Sequence, residues 1–191
     1  KKHIEVSIDP NKAGLVPKML VERVTEINEF DLQDLCEATE QSISSGGGFG
    51  WLDAPPRSGL ENFWRGVIQV PERSLFVGRM DGIVAGATQF VRPTRNNEAQ
   101  SGAAKLTTNF VAPWARGYGL ARALAIAVEE AAVGEGFLVL NLDVRETQSA
   151  AIAFYESRGF TRWGKHPRYA RVKGKWIAGY HYFKDLQKMV L

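Results

Sequence analysis

Hydrophobic residues recur along this chain with two different periods, and these separate predicted strands from predicted helices. Helical spacing indicates helices at 29–44 and 60–70, and two more that begin near Leu120 and Gln148. Asp81-Gly82 and Lys173-Gly174 fit the turns of two hairpins. Extended, largely alternating segments indicate strands at 19–25, 74–80, 83–91, 106–111, 137–144, 161–172 and 175–184.

The order of these elements predicts the fold class. Strands 106–111 and 137–144 flank a helix, so we expect a parallel pair joined by a right-handed crossover. The other neighbouring strands are joined as hairpins, which predicts a mixed α/β sheet with helices on both faces. We assign this sheet to one domain over residues 19–191, preceded by an N-terminal arm or strand in 1–18.

A glycine pair marks the start of the third helix, in the run Arg116-Gly117-Tyr118-Gly119-Leu120-Ala121. The first turn of a helix leaves backbone N–H groups unpaired, and glycines allow an anion to approach them. Arg122 stands where a dinucleotide-binding fingerprint needs Gly or Ala, and no Gly-Lys-Ser/Thr of a P-loop occurs. The run therefore predicts a phosphate site of another kind.

A second motif follows the strand at 137–144. Gln148, Ala151 and Tyr155 are spaced by three and four residues, so they share one face of a helix. Gly159 is placed to end that helix.

Together the two motifs resemble those of the GCN5-related N-acetyltransferase (GNAT) family. Arg116, Gly119 and Ala121 fit its acyl-coenzyme A loop, Q/R-x-x-G-x-G/A, and residues 148–160 fit N-x-x-A-x-x-x-Y-x-x-x-G-F with Gln148 in place of Asn. The resemblance implies a single-domain fold with a mostly antiparallel sheet and a central parallel pair that splays apart.

The resemblance also implies acetyl-CoA as cofactor and a set of residues that bind it. The amides of 116–121 would hold the diphosphate, and the strand end at 109–111 would pair with the pantetheine arm and polarise the thioester carbonyl. Gln148 would bind pantetheine or a backbone carbonyl. The full predicted set is Asn109, Phe110, Val111, Arg116, Gly117, Tyr118, Gly119, Leu120, Ala121, Gln148 and Ala151. The Arg116 side chain either adds charge near a phosphate or is a solvated residue before the helix.

Two side chains are candidates for the proton transfers. Tyr155 is our candidate general acid, since a tyrosine hydroxyl with an ordinary pKa of about 10 can protonate a leaving thiolate; the alternative is a ring packed against the sheet. Alternation along 137–144 separates Asp143 from the leucines, at the carboxyl end of the strand. Asp143 either accepts the proton of the amine, binds its cation, or is an exposed strand end, and Glu146 is a weaker candidate.

Aromatic residues are candidates for the acceptor side. Phe49 and Trp51 follow glycines between the first two helices, so they either line the acceptor pocket or belong to a connection with one aromatic in the core. Pro167-Arg168-Tyr169-Ala170, Tyr182-Phe183-Lys184 and Leu142-Asp143 are similar to the small-molecule branch that includes tabtoxin-resistance acetyltransferase. This similarity implies that Tyr169 and Tyr182 lie near the acceptor.

The predicted function is therefore acetyl transfer from acetyl-CoA to a primary amine of a small molecule, by direct attack in a ternary complex. Acetylation of a peptide or ribosomal protein is the alternative within the family. A non-catalytic acyl-CoA-binding regulatory module is an alternative of another class, and Tyr155 argues against it.

Composition changes this picture little. The formal charge is +3, yet residues 157–184 contain no Asp or Glu, which suits a solvated hairpin face, coenzyme phosphates or an acidic partner.

No nucleic-acid motif accompanies that charge, so nucleic-acid binding is disfavoured, and the three histidines lack metal-ligand spacing. No apolar run reaches membrane-spanning length, and Cys36 is alone, which suits the cytoplasm. A homodimer is expected only because dimers are frequent among members of the family.

Overall fold

The computed structural model describes residues 16–47 and 49–186. Of the arm or strand predicted at 1–18, only residues 16–18 fall within this range, and the rest lies outside the described residues. Gly48, in the predicted acceptor loop, also lies outside them.

Within the described residues, four α-helices, seven strands and two single-turn 3-10 helices make up the regular structure. The strands form one mixed sheet in the order β1-β2-β3-β4-β5-β7-β6, in which β4 and β5 are parallel while β1–β2, β5–β7 and β6–β7 are antiparallel. The predicted α/β class and its parallel pair are thus confirmed. In chain order the elements are β1 (Met19–Val24), α1 (Glu29–Ser44), α2 (Arg57–Gln69), β2 (Arg73–Met80), β3 (Ile83–Val91), β4 (Ala103–Val111), α3 (Leu120–Gly134), β5 (Val139–Arg145), α4 (Ser149–Ser157), β6 (Thr161–Val172) and β7 (Lys175–Asp185).

Local chemistry explains most boundaries. Asn28 caps α1 by accepting the Asp31 amide at 2.9 Å. Asp81 and Gly82 both adopt positive φ, 50° and 88°, as the tight turn of the β2–β3 hairpin requires. The helix α2 begins three residues before the predicted Leu60, because its first turn is polar and the apolar pattern starts one turn later.

The chain divides into two compact units, and the first combines residues up to Gln89 with Thr108–Ala127. Its core lies between the helices α1 and α2 and the strand face that bears Leu75 and Val77. On the next residue of β2, a side chain at Gly78 would lie 2.7 Å from Leu120 Cδ1. Because successive residues face opposite sides of a strand, α3 starts on the other face of the sheet.

Two buried polar groups of this core are satisfied locally. Trp64 donates its indole N–H to Thr39 Oγ1 at 3.0 Å, and Thr39 donates to the Leu35 carbonyl at 2.7 Å. Burial raises the pKa of the Cys36 thiol to about 11, so this cysteine packs in the core as a neutral thiol.

The second unit combines Phe90–Thr107 with the residues from Val128 onward. Here Ala103–Lys105 of β4 pair with Val139–Asn141 of β5, and β5 continues beyond the last registered pair to Arg145. This early end of the register agrees with the expected splaying of the parallel pair. Leu140, Leu142 and Val144 are buried on one face of β5, which confirms the predicted alternation.

Candidate active site

The glycine loop lies in the first unit and leads directly into α3. Gly117 and Gly119 adopt φ of 85° and 89°, a region that strongly favours glycine. The first donor of the helical ladder is the Ala123 amide, which bonds Gly119 O at 3.0 Å. The amides of residues 120–122 therefore have no carbonyl one turn earlier within the helix, which leaves them available to a ligand.

The space beside this loop is open while the helix behind it is firmly seated. A Cβ added to Gly117 or Gly119 would meet no atom within 4 Å, whereas Leu120 is buried against Gly78. Open space, glycine backbone and the positive end of a fifteen-residue helix together fit a diphosphate. The loop thus fits the coenzyme that the sequence motif implies.

Arg116 braces the loop to its surroundings. Its Nε donates to the Val111 carbonyl at 3.1 Å and its Nη2 donates to Ser45 Oγ at 3.0 Å. These bonds tie the loop to the end of β4 and to the C-cap of α1. Neither sequence-based interpretation, a phosphate ligand or a solvated residue, included this role.

The end of β4 precedes the loop in the same unit. Phe110 and Val111 are buried, and the Ala112 amide donates to the Ala85 carbonyl of β3 at 2.7 Å. Asn109 donates its side-chain amide to the Ala121 carbonyl of α3 at 3.4 Å. The three residues predicted to meet the pantetheine arm are thus fixed beside the glycine loop.

The second motif forms α4 in the second unit, with Gln148 at its N-cap position and Ala151 half-buried. Tyr155 is buried, and its ring packs edge-on against Phe160 at 5.5 Å between centroids. The Tyr155 carbonyl accepts the amides of Arg158 and Phe160, each at 3.1 Å, which closes the helix at the predicted Gly159. Tyr155 therefore lies in the last turn of α4, with its ring packed against Phe160.

Asp143 lies in a cavity of about 340 Å³ that is formed within the second unit. Lys105 Nζ lies 2.6 Å from Asp143 Oδ1, and Tyr169 Oη donates to Asp143 Oδ2. His181 is the register partner of Asp143 on β7, and its ring lies 5.3 Å from that of Trp163. The residues that line the cavity are Lys105, Val139, Asn141, Leu142, Asp143, Trp163, His181, Tyr182 and Phe183.

The carboxyl group of Asp143 is held in its ionised form. Burial acts to raise its pKa, but the hydrogen bonds from Lys105 and Tyr169, with the charges of Lys105 and His181, outweigh burial and lower the pKa below the usual value. Burial and the hydrogen bond to Asp143 also raise the pKa of Tyr169, so its hydroxyl stays protonated as a donor. Asp143 is thus an anion, and the Tyr169 hydroxyl is a neutral donor that is hydrogen-bonded to it.

The aromatic residues predicted for the acceptor side have different environments. Phe49 is 4% exposed in the core of the first unit, with its ring 4.6 Å from Phe110, and Trp51 packs edge-on against Phe63. Tyr182 is fully buried and donates to Glu156 at 2.8 Å while it accepts from Arg162 at 3.0 Å. Of the four predicted residues, Tyr169 is the one that hydrogen bonds to Asp143.

The sequence interpretation missed Lys105, Trp163 and His181. The pairing of Asp143 with His181 depends on the register of β5 with β7, and the pairing of Lys105 with Asn141 depends on a parallel contact between distant strands. The alternation of residues along β4 indicates which face of the strand Lys105 lies on. It does not show which strand pairs with β4, so the contact with Asp143 could not be predicted from it.

Comparisons with known proteins agree with this geometry. Residues 32–160 match the acetyltransferase (GNAT) family. An N-acetyltransferase from the hisH-hisA intergenic region of Azospirillum brasilense, itself uncharacterized, is 60% identical over 128 residues, 67% of this chain and 76% of that protein. The chain belongs to the GNAT family. It is an N-acetyltransferase, and acetyl-CoA is the cofactor that this family uses.

Solved structures show the same fold at low identity. An N-acetyltransferase from Staphylococcus aureus Mu50 superposes with a TM-score of 0.75 at 18% identity, covering 89% of this chain and 99% of that one. The yncA protein from Salmonella typhimurium, solved with its cofactor acetyl-CoA, superposes with a TM-score of 0.72 at 17% identity, covering 91% and 96%. Among the described residues, no helix combines the length and the apolarity that a membrane crossing needs. The tabtoxin-resistance branch and the homodimer stay predictions.

Proposed function

We propose that this GNAT enzyme acetylates a primary amine of a small molecule, by direct attack in a ternary complex. The observation that supports a small acceptor is the cavity around Asp143, whose volume of about 340 Å³ lies at the low end for ligand pockets. An ionised carboxylate in this cavity attracts an ammonium group.

In this proposal, each group of residues has one task. The amides of the loop at 116–121 hold the diphosphate, and the backbone at the end of β4 orients the pantetheine arm. When bound, acetyl-CoA supplies a thioester whose acyl group an amine can accept. An amide N–C bond forms, the thioester C–S bond breaks, the amine loses one proton and the sulfur gains one.

Tyr155 supplies the proton for the sulfur. Its ring packs against Phe160 near the closed end of α4. A proton delivered by a positioned side chain contributes about 10²–10⁴-fold to a rate.

Asp143 recruits the amine as a cation. A carboxyl group with a lowered pKa is a weak proton acceptor but a strong partner for an ammonium. Among the roles that the sequence left open for Asp143, the lowered pKa supports our choice of cation binding over general base catalysis. The amine then releases its proton to water before it attacks.

The test measures free thiol released from acetyl-CoA with a panel of small amines and N-terminal peptides. We expect turnover with small amines, and a Tyr155→Phe variant should bind acetyl-CoA normally and lose about 10²-fold or more in kcat. Tyr180→Phe is the matched control, because it also removes a tyrosine hydroxyl from the second unit. The Tyr180 ring lies 3.7 Å from the Arg162 guanidinium and has no role in the proposed reaction.

Each other outcome identifies a different error. Turnover with peptides alone would assign the enzyme to the alternative acceptor class. Tight acetyl-CoA binding without any acetyl transfer would support the regulatory module. Full activity of Tyr155→Phe would remove Tyr155 as the acid.

A further inference from the structure

The charge on Asp143 is already balanced inside its cavity. Lys105 pairs with Asn141 across the parallel strands, and its ammonium reaches Asp143 Oδ1 at 2.6 Å. Among the described residues that line this cavity, Asp143 is the one carboxylate, while Lys105 and the imidazole of His181 face the same space. Asp143 and Lys105 therefore form one close anion–cation pair in this cavity.

A purely cationic acceptor fits this arrangement poorly. It would add a second positive charge beside Lys105, in a place where Asp143 is about four-fifths covered and solvent screens charges less than at the open surface. If the acceptor ammonium displaced Lys105, it would leave that lysine without its partner. Either way, an amine without a negative group is attracted to Asp143 less strongly than an acceptor that also brings an anion for Lys105.

Both members of the pair keep hydrogen-bonding capacity. An ammonium has three donors, and Lys105 uses one of them on Asp143. A carboxylate has about four acceptor sites, and Asp143 uses two, on Lys105 and Tyr169. Spare donors and spare acceptors thus lie side by side on neighbouring strands.

We infer that the acceptor is a zwitterion of the amino-acid type, with a carboxylate beside its amine. This inference rests on the proposed function. Asp143 binds the acceptor's ammonium, Lys105 binds its carboxylate, and the pairing adds no net charge to the cavity. Trp163, His181 and Phe183 line the same cavity and offer ring surfaces to the remainder of the molecule.

The test compares each amino acid with the amine that lacks only its carboxylate. The pairs are L-phenylalanine with 2-phenylethylamine, and L-methionine with 3-(methylthio)propylamine. For the wild-type enzyme we expect kcat/KM to favour the amino acid by at least about tenfold, as for a lost hydrogen bond to a charged group.

Lys105 is examined by two variants with opposite expectations. Lys105→Met should lower kcat/KM for the amino acid and raise it for the matched amine, because the repelling charge is gone. Lys105→Arg keeps the charge and should keep the preference. Lys175→Met, which alters an exposed lysine at the start of β7, is the control.

The outcomes separate this inference from the function on which it rests. Equal kcat/KM within each pair would overturn the inference of a zwitterionic acceptor, and so would a Lys105→Met variant that lowers kcat/KM for both members alike. Acetylation of small amines would stand in either case. Turnover of peptides alone, with neither member of any pair accepted, would overturn the proposed function itself. Acetyl-CoA titration of each variant confirms that it is folded.

Discussion

Glu129 of α3 forms ion pairs with two cations of the second unit. Its substitution tests how much these ion pairs contribute to the free energy of unfolding. Its side chain is 1% exposed, and one carboxylate oxygen accepts from Lys184 Nζ of β7 at 2.7 Å and from Arg158 Nη2, at the end of α4, at 3.0 Å. Lys184 also lies over the Phe160 ring, which contacts Tyr155. The network therefore connects α3, β7 and the helix that carries the candidate acid.

Glu129→Gln removes the charge and preserves the volume, so no cavity cost accompanies it. Two cations whose side chains are 22% and 13% exposed would then remain without their anion. Breaking a buried pair in this way costs about 3–5 kcal/mol, and the partial exposure of the cations favours the lower end. We expect the free energy of unfolding to fall by about 3 kcal/mol. With a typical urea m-value, the midpoint should fall by about 1 M or more at unchanged slope.

The control is Glu29→Gln, which breaks an ion pair with Arg65 whose side chains are 65% and 45% exposed. Exposed pairs contribute about 1 kcal/mol or less, so this variant should be near wild type. Adding Lys184→Met to Glu129→Gln should recover part of the loss. If Glu129→Gln shifts the midpoint no more than the control does, the network does not stabilise the unit and the reasoning fails.

Two further predictions concern the first unit. Thr39→Val should lower the free energy of unfolding by about 1–3 kcal/mol in urea titrations, because the buried Trp64 indole N–H loses its acceptor; a loss no larger than that of an exposed Thr→Val substitution would contradict this. The hydrogen bond from Arg79 holds the pKa of Asp31 below its usual value. The interaction of ionised Asp31 with Arg79 therefore stabilises the fold fully above about pH 4, and this contribution is lost as pH falls through the lowered pKa. Asp31→Asn should therefore destabilise the protein at pH 7 and show a shallower fall in stability below pH 4 than wild type, and parallel curves would refute this.

The sequence predicted local structure well where local chemistry determines it. The α1 and β3 boundaries agree with 29–44 and 83–91, and both hairpin turns fall at Asp81-Gly82 and Lys173-Gly174. The glycine loop was found because its backbone conformation demands particular residues in a fixed order. Such signals lie within a few consecutive residues, so no partner strand is needed to interpret them.

Contacts that depend on register could not be predicted in this way. The pairing of β6 with β7 shifts between His166 and Ala170, so alternation along β6 does not carry through to Tyr169. The Tyr169 ring instead packs over Gly179 and its hydroxyl reaches Asp143. The regular alternation of β7 places Tyr182 on the face opposite its neighbour His181, where it hydrogen bonds to Glu156 of α4.

Arg116 and Phe49 show a second limit of sequence patterns. Arg116 bonds to groups on β4 and α1 that lie 5 and 71 residues away along the chain. Phe49 follows glycines that suggest an open loop, yet its ring fills the space beside Phe110 and Trp51. Tertiary packing decides both positions, and the local sequence permits either outcome.

The central claim is that main-chain amides at the start of α3 hold the diphosphate of acetyl-CoA. Isothermal calorimetry with acetyl-CoA tests it on the wild type, on Gly119→Ala, and on Gly174→Ala, a control glycine with a similar φ of 78° and equally open surroundings in the β6–β7 turn. We predict that Gly119→Ala weakens binding about tenfold or more, because the strained backbone turns the amides away, while Gly174→Ala binds as the wild type does. Equal affinity of all three proteins would show that the coenzyme is held elsewhere.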